Sequence, residues 1–446
     1  MKTAAEKIWL AGALAGLLCL PITDTVFAAN SVTINLEDGI QMAMENNHSI
    51  KESECDMDNA RWSLHEARRG GGPTLSWSAA AKRLGGKAYE NAGYQHEFSH
   101  DVELSIPLYT SGKLENKIRS ADYSLQSAIL SLEDEKQTIR KTVTKDYFDI
   151  LKYRSQVGVY QDSVNNLQEH LRNVNAQYNA GTVAKSDVLS SEVSLANEQQ
   201  NLVSAQNDYD VAVAAFNNAV GLATDTETII SEELSYTKYD VVLADCQAYA
   251  LLHRPDLLGK KYDAEAYRAS MEAAKAGAGP QVSGVAARNF AGSGVFSTNH
   301  TSSDSWSLGI SASWDVFDNG VTASQVKQKE ASWHKAQEAA LAQADTVQLE
   351  VRTAFLDLMA AEKNIKTLQE SLDKAKDDYR IEQVRYSSGV GTNLDVLDAE
   401  EKLCSAQGDY VSALYTYNVS KASLDKAMGL PVDLDIQKYQ EMLKQK

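Results

Sequence analysis

The chain has 446 residues and carries 43 Lys+Arg against 61 Asp+Glu, a formal net charge of −18. That balance excludes a nucleic-acid partner, because phosphate neutralisation needs a basic face. Only 6 residues are proline while hydrophobic residues make up 43%, a composition of long polar-faced helices and not of a disordered chain. Past residue 28 no apolar run approaches the roughly 18–20 residues a spanning helix needs, so a helical-bundle membrane protein is excluded.

Residues 1–28 read as a secretory signal peptide. Lys2 and Lys7 flank the start of an apolar run from Ile8 to Leu20, and Val26-Phe27-Ala28 offers a small-residue cleavage site. Cys19 follows Leu18, where lipidation would need a small residue. The mature chain keeps Cys55, Cys246 and Cys404, an odd and widely spaced set from which neither a disulfide framework nor a metal pattern follows.

The rest is one unit written twice. At an offset of 208, Gly112 matches Gly320, Val143 matches Val351, Asp149 matches Asp357 and Tyr178 matches Tyr386. Asp187-Val188-Leu189 matches Asp395-Val396-Leu397, and Gly221 matches Gly429. Upstream the offset is 207, pairing Ala43 with Ala250, Arg61 with Arg268 and Pro73 with Pro280. The expected organisation is a first repeat over 29–222, a connector over 223–244, a second repeat over 245–430 and a tail over 431–446.

Each repeat opens with a helix, about Leu36 to Arg69 and then Asp245 to Lys275, ending in Gly-rich turns before Pro73 and Pro280. A strand pair follows, over 74–109 and 281–317. Phe98, His100, Val102, Leu104 and Ile106 share one parity, as do Trp306, Leu308, Ile310, Ala312 and Trp314; the other parity is polar or small. Trp306 and Trp314 are separated by about 26 Å of extended chain, the height of an outer-membrane barrel's apolar band between its aromatic girdles. A soluble sandwich strand would alternate in the same way.

Helical hairpins then occupy 113–221 and 320–429. Val188, Leu195, Leu202, Tyr209 and Phe216 recur every seven residues, as do Val396, Leu403, Tyr410, Tyr417 and Leu424. Three residues after each stands a mostly small side chain, from Ser191 to Ala219 and from Ala399 to Ala427. That is a close-packed coiled-coil seam. The first helix of a pair, about Lys113 to Tyr178, would run ~100 Å at ~1.5 Å per residue, longer than any globular core. Four strands per chain cannot close a barrel, so copies must combine; three copies give twelve strands and a ring of twelve helices.

His96-Glu97-Phe98-Ser99-His100 matches the H-E-x-x-H zinc pattern, yet on an alternating strand its histidines stand ~13 Å apart at ~3.3 Å per residue. No phosphate loop or nucleophile elbow is present, so the chain is expected not to be an enzyme and to need no cofactor or metal.

The ordered set of markers resembles the TolC-like outer-membrane efflux channel family (outer membrane factors) over essentially the whole mature chain. The markers are Leu36-Glu37-Asp38-Gly39-Ile40 through Asn46-Asn47, the two strand pairs, Tyr178-Asn179-Ala180-Gly181 with Ser186-Asp187-Val188-Leu189, and Tyr386-Ser387-Ser388-Gly389 through Leu394-Asp395-Val396-Leu397-Asp398-Ala399. The resemblance implies an α+β membrane protein: a homotrimeric, 12-stranded outer-membrane β-barrel in lipid, continuing into a long periplasmic α-helical coiled-coil barrel. It implies a passive exit duct of a tripartite efflux or type I secretion system, for small molecules or proteins. The partners would be a periplasmic membrane-fusion adaptor and an inner-membrane pump or ABC transporter. The connector and tail would form an equatorial belt.

The resemblance also assigns residues. Asp395 and Asp398 fall where the family has entrance carboxylate rings, Tyr386 where it has a gate tyrosine, and Asp187 at the matching acidic position of the first turn. Gly181 and Thr182, with Gly389, Val390 and Gly391, would dock the adaptor. Gly391 stands where a basic gate partner is expected, which predicts a looser hold on Tyr386. Independently, Asp187 and Asp395 suit helix N-termini as macrodipole acids, and that reading stays open beside the pore reading. The alternative for the whole chain is a secreted trimeric coiled-coil envelope stalk or adhesin without a channel, which would not need two matched amphipathic strand pairs.

Overall fold

The computed structural model describes residues 32–86, 96–292 and 303–432. The signal peptide and nearly all of the tail lie outside them.

Each opening helix is two helices. α1 (Leu36–Asn46) and α2 (His48–Arg69) part at Asn47, whose Oδ1 accepts from Ser49 N at 2.9 Å and starts α2. The same amide donates to Ala219 O at 3.0 Å, pinning the break to the far end of the first hairpin. In the second half α5 (Leu243–His253) and α6 (Pro255–Lys275) part at Arg254. Pro255 lacks an N–H and restricts Arg254 to extended backbone, so no helix runs through that junction, although Pro255 is well suited as the first residue of α6.

Four strands make one antiparallel sheet in the order β2 (Thr74–Arg83), β3 (His96–Tyr109), β5 (Gln281–Gly292), β6 (Ser303–Ser313). Register puts Leu75, Leu104, Ala286 and Leu308 in one cross-strand row, and Trp77, Val102, Arg288 and Trp306 in another on the same face. Pro107, which cannot donate to the ladder, sits where the β3–β5 pairing shifts register. β6 stops at Ser313, short of the expected 317. Trp314 lies just beyond it and donates its indole N–H to Ala278 O at 2.9 Å, which ties the foot of the sheet to the end of α6.

Two helical hairpins hang below. α3 (Lys113–Asn179) and α7 (Val321–Ser387) have 67 residues each; α4 (Lys185–Val220) and α8 (Asn393–Met428) have 36 each. α3 packs on α4 and α8, and α8 on α7 and α3. α2 lies on α3, and α6 bridges α3 and α7, so the short helices fill out the half nearer the sheet. The core is a set of seams and not a ball. Val188, Ala205, Ala212 and Phe216 are buried on α4, and Val396, Ala399, Leu403, Ala406, Ala413, Tyr417 and Leu424 on α8.

Between the halves, β4 (Thr228–Ile229) pairs in parallel with β1 (Val32–Thr33). Residues 230–242 then cross the helices without regular structure. Arg154 of α3 donates to Ile230 O and Glu232 O, while Tyr236 donates to Glu362 of α7 at 2.7 Å. Tyr417 Oη accepts from Tyr239 N and donates to Thr237 O, both at 2.9 Å. Tyr239 Oη donates to Asp425 at 2.7 Å inside α8. Where the chain leaves α8, Gln137 donates to Gly429 O, Arg140 to Pro431 O, and Lys426 pairs with Asp134 at 3.0 Å.

Burial pushes the Asp425 carboxyl up, and the Tyr239 hydroxyl opposes that by bonding the charged form. Tyr239→Phe removes the donor and raises it further. The expected loss is about 1–3 kcal/mol at neutral pH, where the carboxylate loses its tyrosine donor, and less near pH 3, below the ordinary Asp value of 3.8, where it is protonated. Thermal unfolding followed by circular dichroism at the two pH values checks this; equal losses at both would mean that Asp425 does not titrate with the fold.

Candidate functional site: the hairpin tips

The two interhelical turns use the same backbone device. After α3, Gly181 takes φ +77° and Thr182 N reaches back to Gln177 O at 3.0 Å. After α7, Gly389 takes φ +75° and Val390 N reaches Arg385 O at 3.0 Å. Both are helix ends closed through a left-handed glycine. Nothing lies within 4 Å of where a Gly389 Cβ would be, so Gly389→Ala should cost only backbone strain, about 1–2 kcal/mol. A lower thermal transition with unchanged helix content would register it; no change would mean the turn relaxes.

Gly391 is different. A Cβ there would stand 3.1 Å from Tyr386 N and 3.2 Å from Arg385 Cβ, so a side chain fits only if the turn gives by a few tenths of an ångström. Its N–H donates to Arg385 O at 3.1 Å. Thr182 and Val390 are exposed at the tips, Val390 strongly so.

The acids divide between two roles. Asp395 makes a reciprocal cap with Thr392: its carboxylate accepts from Thr392 N at 3.0 Å, and Thr392 Oγ1 accepts from Asp395 N at 3.2 Å. These hydrogen bonds, with Arg385 nearby, hold the Asp395 carboxyl below its usual range. The cation near this acid is therefore Arg385, from the helix before the turn. Asp187 accepts from Ala184 N at 3.3 Å; alanine has no side-chain oxygen, so only half of the cap is present. Asp398 is exposed and lines an elongated groove between α4 and α8, beside Leu397, Glu401 and Glu198.

Tyr386 does not hang free. It is buried, its ring centroid lies 5.0 Å from that of His170, and burial followed by the Asp187 charge pushes its hydroxyl up. Packing takes the place of a cationic tether. Tyr386 and Asp187 thus meet in one cluster, which Asp398 does not join. That cluster contains His170 and Asn393, which the sequence reading passed over, and Ser191, which it read only as a small seam residue, with Asn393 Oδ1 at 2.7 Å from His170 Nε2.

Trp77 and Trp306 mark one level of the sheet's apolar face, and Trp314 its foot. His96 and His100 sit on β3, a strand, so they lack the helical turn a zinc pair needs. Among the described residues no group of three or more His, Cys, Asp or Glu could hold a metal, and no helix is long and apolar enough to cross a membrane.

Against known proteins, the profile of the outer membrane efflux protein family matches residues 39–222 and again 248–430. The chain is 23% identical over 425 residues to the outer membrane protein TolC of Escherichia coli (strain K12), covering 92% of this chain and 85% of that one. It is 24% identical over 405 residues to the solvent efflux pump outer membrane protein SrpC of Pseudomonas putida, covering 87% and 84%. Its fold superposes on the MtrE outer membrane channel of Neisseria gonorrhoeae, a structure of the open state, with a TM-score of 0.74, 19% identity and 88% of each chain covered. With more than half of its length matched by the profile, this chain belongs to the outer membrane efflux protein family, as a TolC-like protein of the outer membrane.

Proposed function

We propose that this protein is the outer-membrane exit duct of a tripartite efflux or type I secretion system. It works as a homotrimer whose twelve strands close a barrel in lipid and whose helices continue it into the periplasm. One observation carries the reading. The sheet ends in two edge strands, β2 and β6, each paired on one side only, and its apolar face is bare: Leu75 is 73% exposed, Trp77 68%, Trp306 80%, Leu308 77% and Ile310 74%. Lipid tolerates no open sheet edge, and water disfavours a continuous apolar patch. Closure with two further copies, β6 of each against β2 of the next, satisfies both demands. The double match of the family profile and the equal helix lengths support descent by internal duplication.

In this reading the hairpin tips are the periplasmic entrance. The turns around Gly181-Thr182 and Gly389-Val390-Gly391 receive a periplasmic adaptor, which in turn engages an inner-membrane pump or ABC transporter. Tyr386, Asp187, Asp395 and Asp398 belong to the entrance, and cargo passes without chemistry. The connector forms the equatorial belt; the tail expected to join it lies, beyond 432, outside the described residues. Cross-linking of the membrane-extracted protein, followed by single-channel recording, tests the whole: a trimer with discrete channels supports it. A soluble periplasmic trimer without conductance would establish the stalk reading in its place.

A further inference from the structure

Asn393, the first residue of α8, joins three chain segments through one side chain. Its Nδ2 donates to Asp187 O on α4 at 3.1 Å, which fixes the orientation of the amide. Its Oδ1 then faces His170 Nε2 on α3 at 2.7 Å and Ser191 Oγ on α4 at 3.1 Å. Since that oxygen only accepts, neutral His170 must carry its proton on Nε2. His170 is 5% exposed, Ser191 1% and Asn393 6%. The Tyr386 ring, from α7, closes over His170, and Val174, Val188 and Val396 wall the cluster with apolar surface.

Both hairpins therefore meet at their tips through a buried polar junction. Parting them breaks hydrogen bonds whose donors and acceptors have no replacement until water enters. We propose that Asn393 is a latch holding the second hairpin against the first in the resting entrance, and that protonation of His170 releases it. The proposal rests on the duct reading above, because a latch has meaning only if the tips bound a pore.

The sign of the pH effect follows from burial. Enclosure disfavours the imidazolium and holds His170 below its ordinary value, while the bond to Asn393 acts the other way and more weakly. In an open entrance the ring meets water and returns toward its ordinary ~6.5. Protons then bind the open form in preference, so acidification below that value favours opening.

Charged and titratable groups stand around the cluster on all four helices, among them Glu400 of α8, which Asn166 bonds one turn along α3 and whose carboxyl burial pushes up. Asp187 from α4 caps Ala184 N, and Asp395 from α8 is capped on Thr392 and held low. Tyr386 from α7 is held neutral, its hydroxyl pushed up by burial. Glu169 and Arg172 on α3 itself are exposed.

The test is single-channel recording of the purified full-length protein in planar bilayers between pH 8 and pH 5. Wild type should be mostly closed at pH 8 and open increasingly below pH 6.5. Asn393→Ala should raise the open-to-closed ratio roughly tenfold at pH 8, the equivalent of losing one or two buried hydrogen bonds, and flatten the response. His170→Gln keeps an N–H donor but takes up no proton, so it should stay closed across the whole range. Gel mobility of the trimer confirms assembly of each variant. If assembled Asn393→Ala and His170→Gln channels follow wild type at every pH, the latch is overturned while the duct stands. If wild type forms no channel, the duct reading itself falls.

Discussion

Leu308→Arg/Ile310→Arg should abolish recovery of this protein from the outer membrane. The two positions are on β6 with their side chains on the bare apolar face, in register with Ala286 and Gly284 of β5. An arginine at the lipid midplane costs roughly 2–4 kcal/mol, so six in a trimer cost on the order of 12–24 kcal/mol, as much as or more than the roughly 5–15 kcal/mol by which a folded protein is stable. The control lies one residue away. Ser307 and Ser311 point to the opposite face, and Ser307→Arg/Ser311→Arg should assemble, because a lumen accepts charge. Density-gradient fractionation with detergent extraction measures both. Equal recovery of the two double variants would mean that the Leu308 face does not meet lipid.

That one-residue discrimination was legible before any coordinates, because period two is a property of the chain and the register follows from it. The seams were legible for the same reason: Val188 and Phe216, or Val396 and Tyr417, recur at the coiled-coil repeat and are buried. What escaped was local and non-periodic. The break at Asn47 depends on an amide that serves both as the cap of α2 and as a donor to Ala219, a contact 172 residues away. Pro255 was a visible stop signal, yet the helix expected over Asp245 to Lys275 runs straight through it.

The hydrogen-bonding side chains of the junction at the tips lie where the two copies differ, and matching the copies does not reveal them: Asn393 corresponds to Lys185, His170 to Asp378 and Ser191 to Ala399. At Gly391 the turn approaches Tyr386 N closely, which disfavours a side chain there, and Arg385 supplies a positive charge near Asp395 from the preceding helix.

Neutralising the entrance acids should change how the channel handles ions more than any other substitution at the tips. Asp395 and Asp398 lie three residues apart near the start of α8, on one side of the helix, and threefold assembly turns each into a ring of carboxylates. A ring of fixed negative charge around a narrow mouth favours cations and binds multivalent ones tightly enough to block. Asp395 is held below the usual carboxylate range by Thr392, so its cap and its charge are fully present above the ordinary Asp value near 3.8 and are lost only as pH falls below it. Cation preference at this ring should therefore persist through pH 5, whatever happens to His170. Asp395→Asn/Asp398→Asn should lower the preference for cations and weaken block by a trivalent cation about tenfold or more, since both carboxylate rings at the start of α8 go neutral. Block in wild type should fade as monovalent salt rises toward 1 M, where the screening length shrinks to about 3 Å. Asparagine at 395 can still accept from Thr392 N, so the cap and the helix survive and the comparison isolates charge. Unaltered selectivity and block in the double variant would leave Asp395 as a helix cap alone and move the cation-selective constriction elsewhere in the duct.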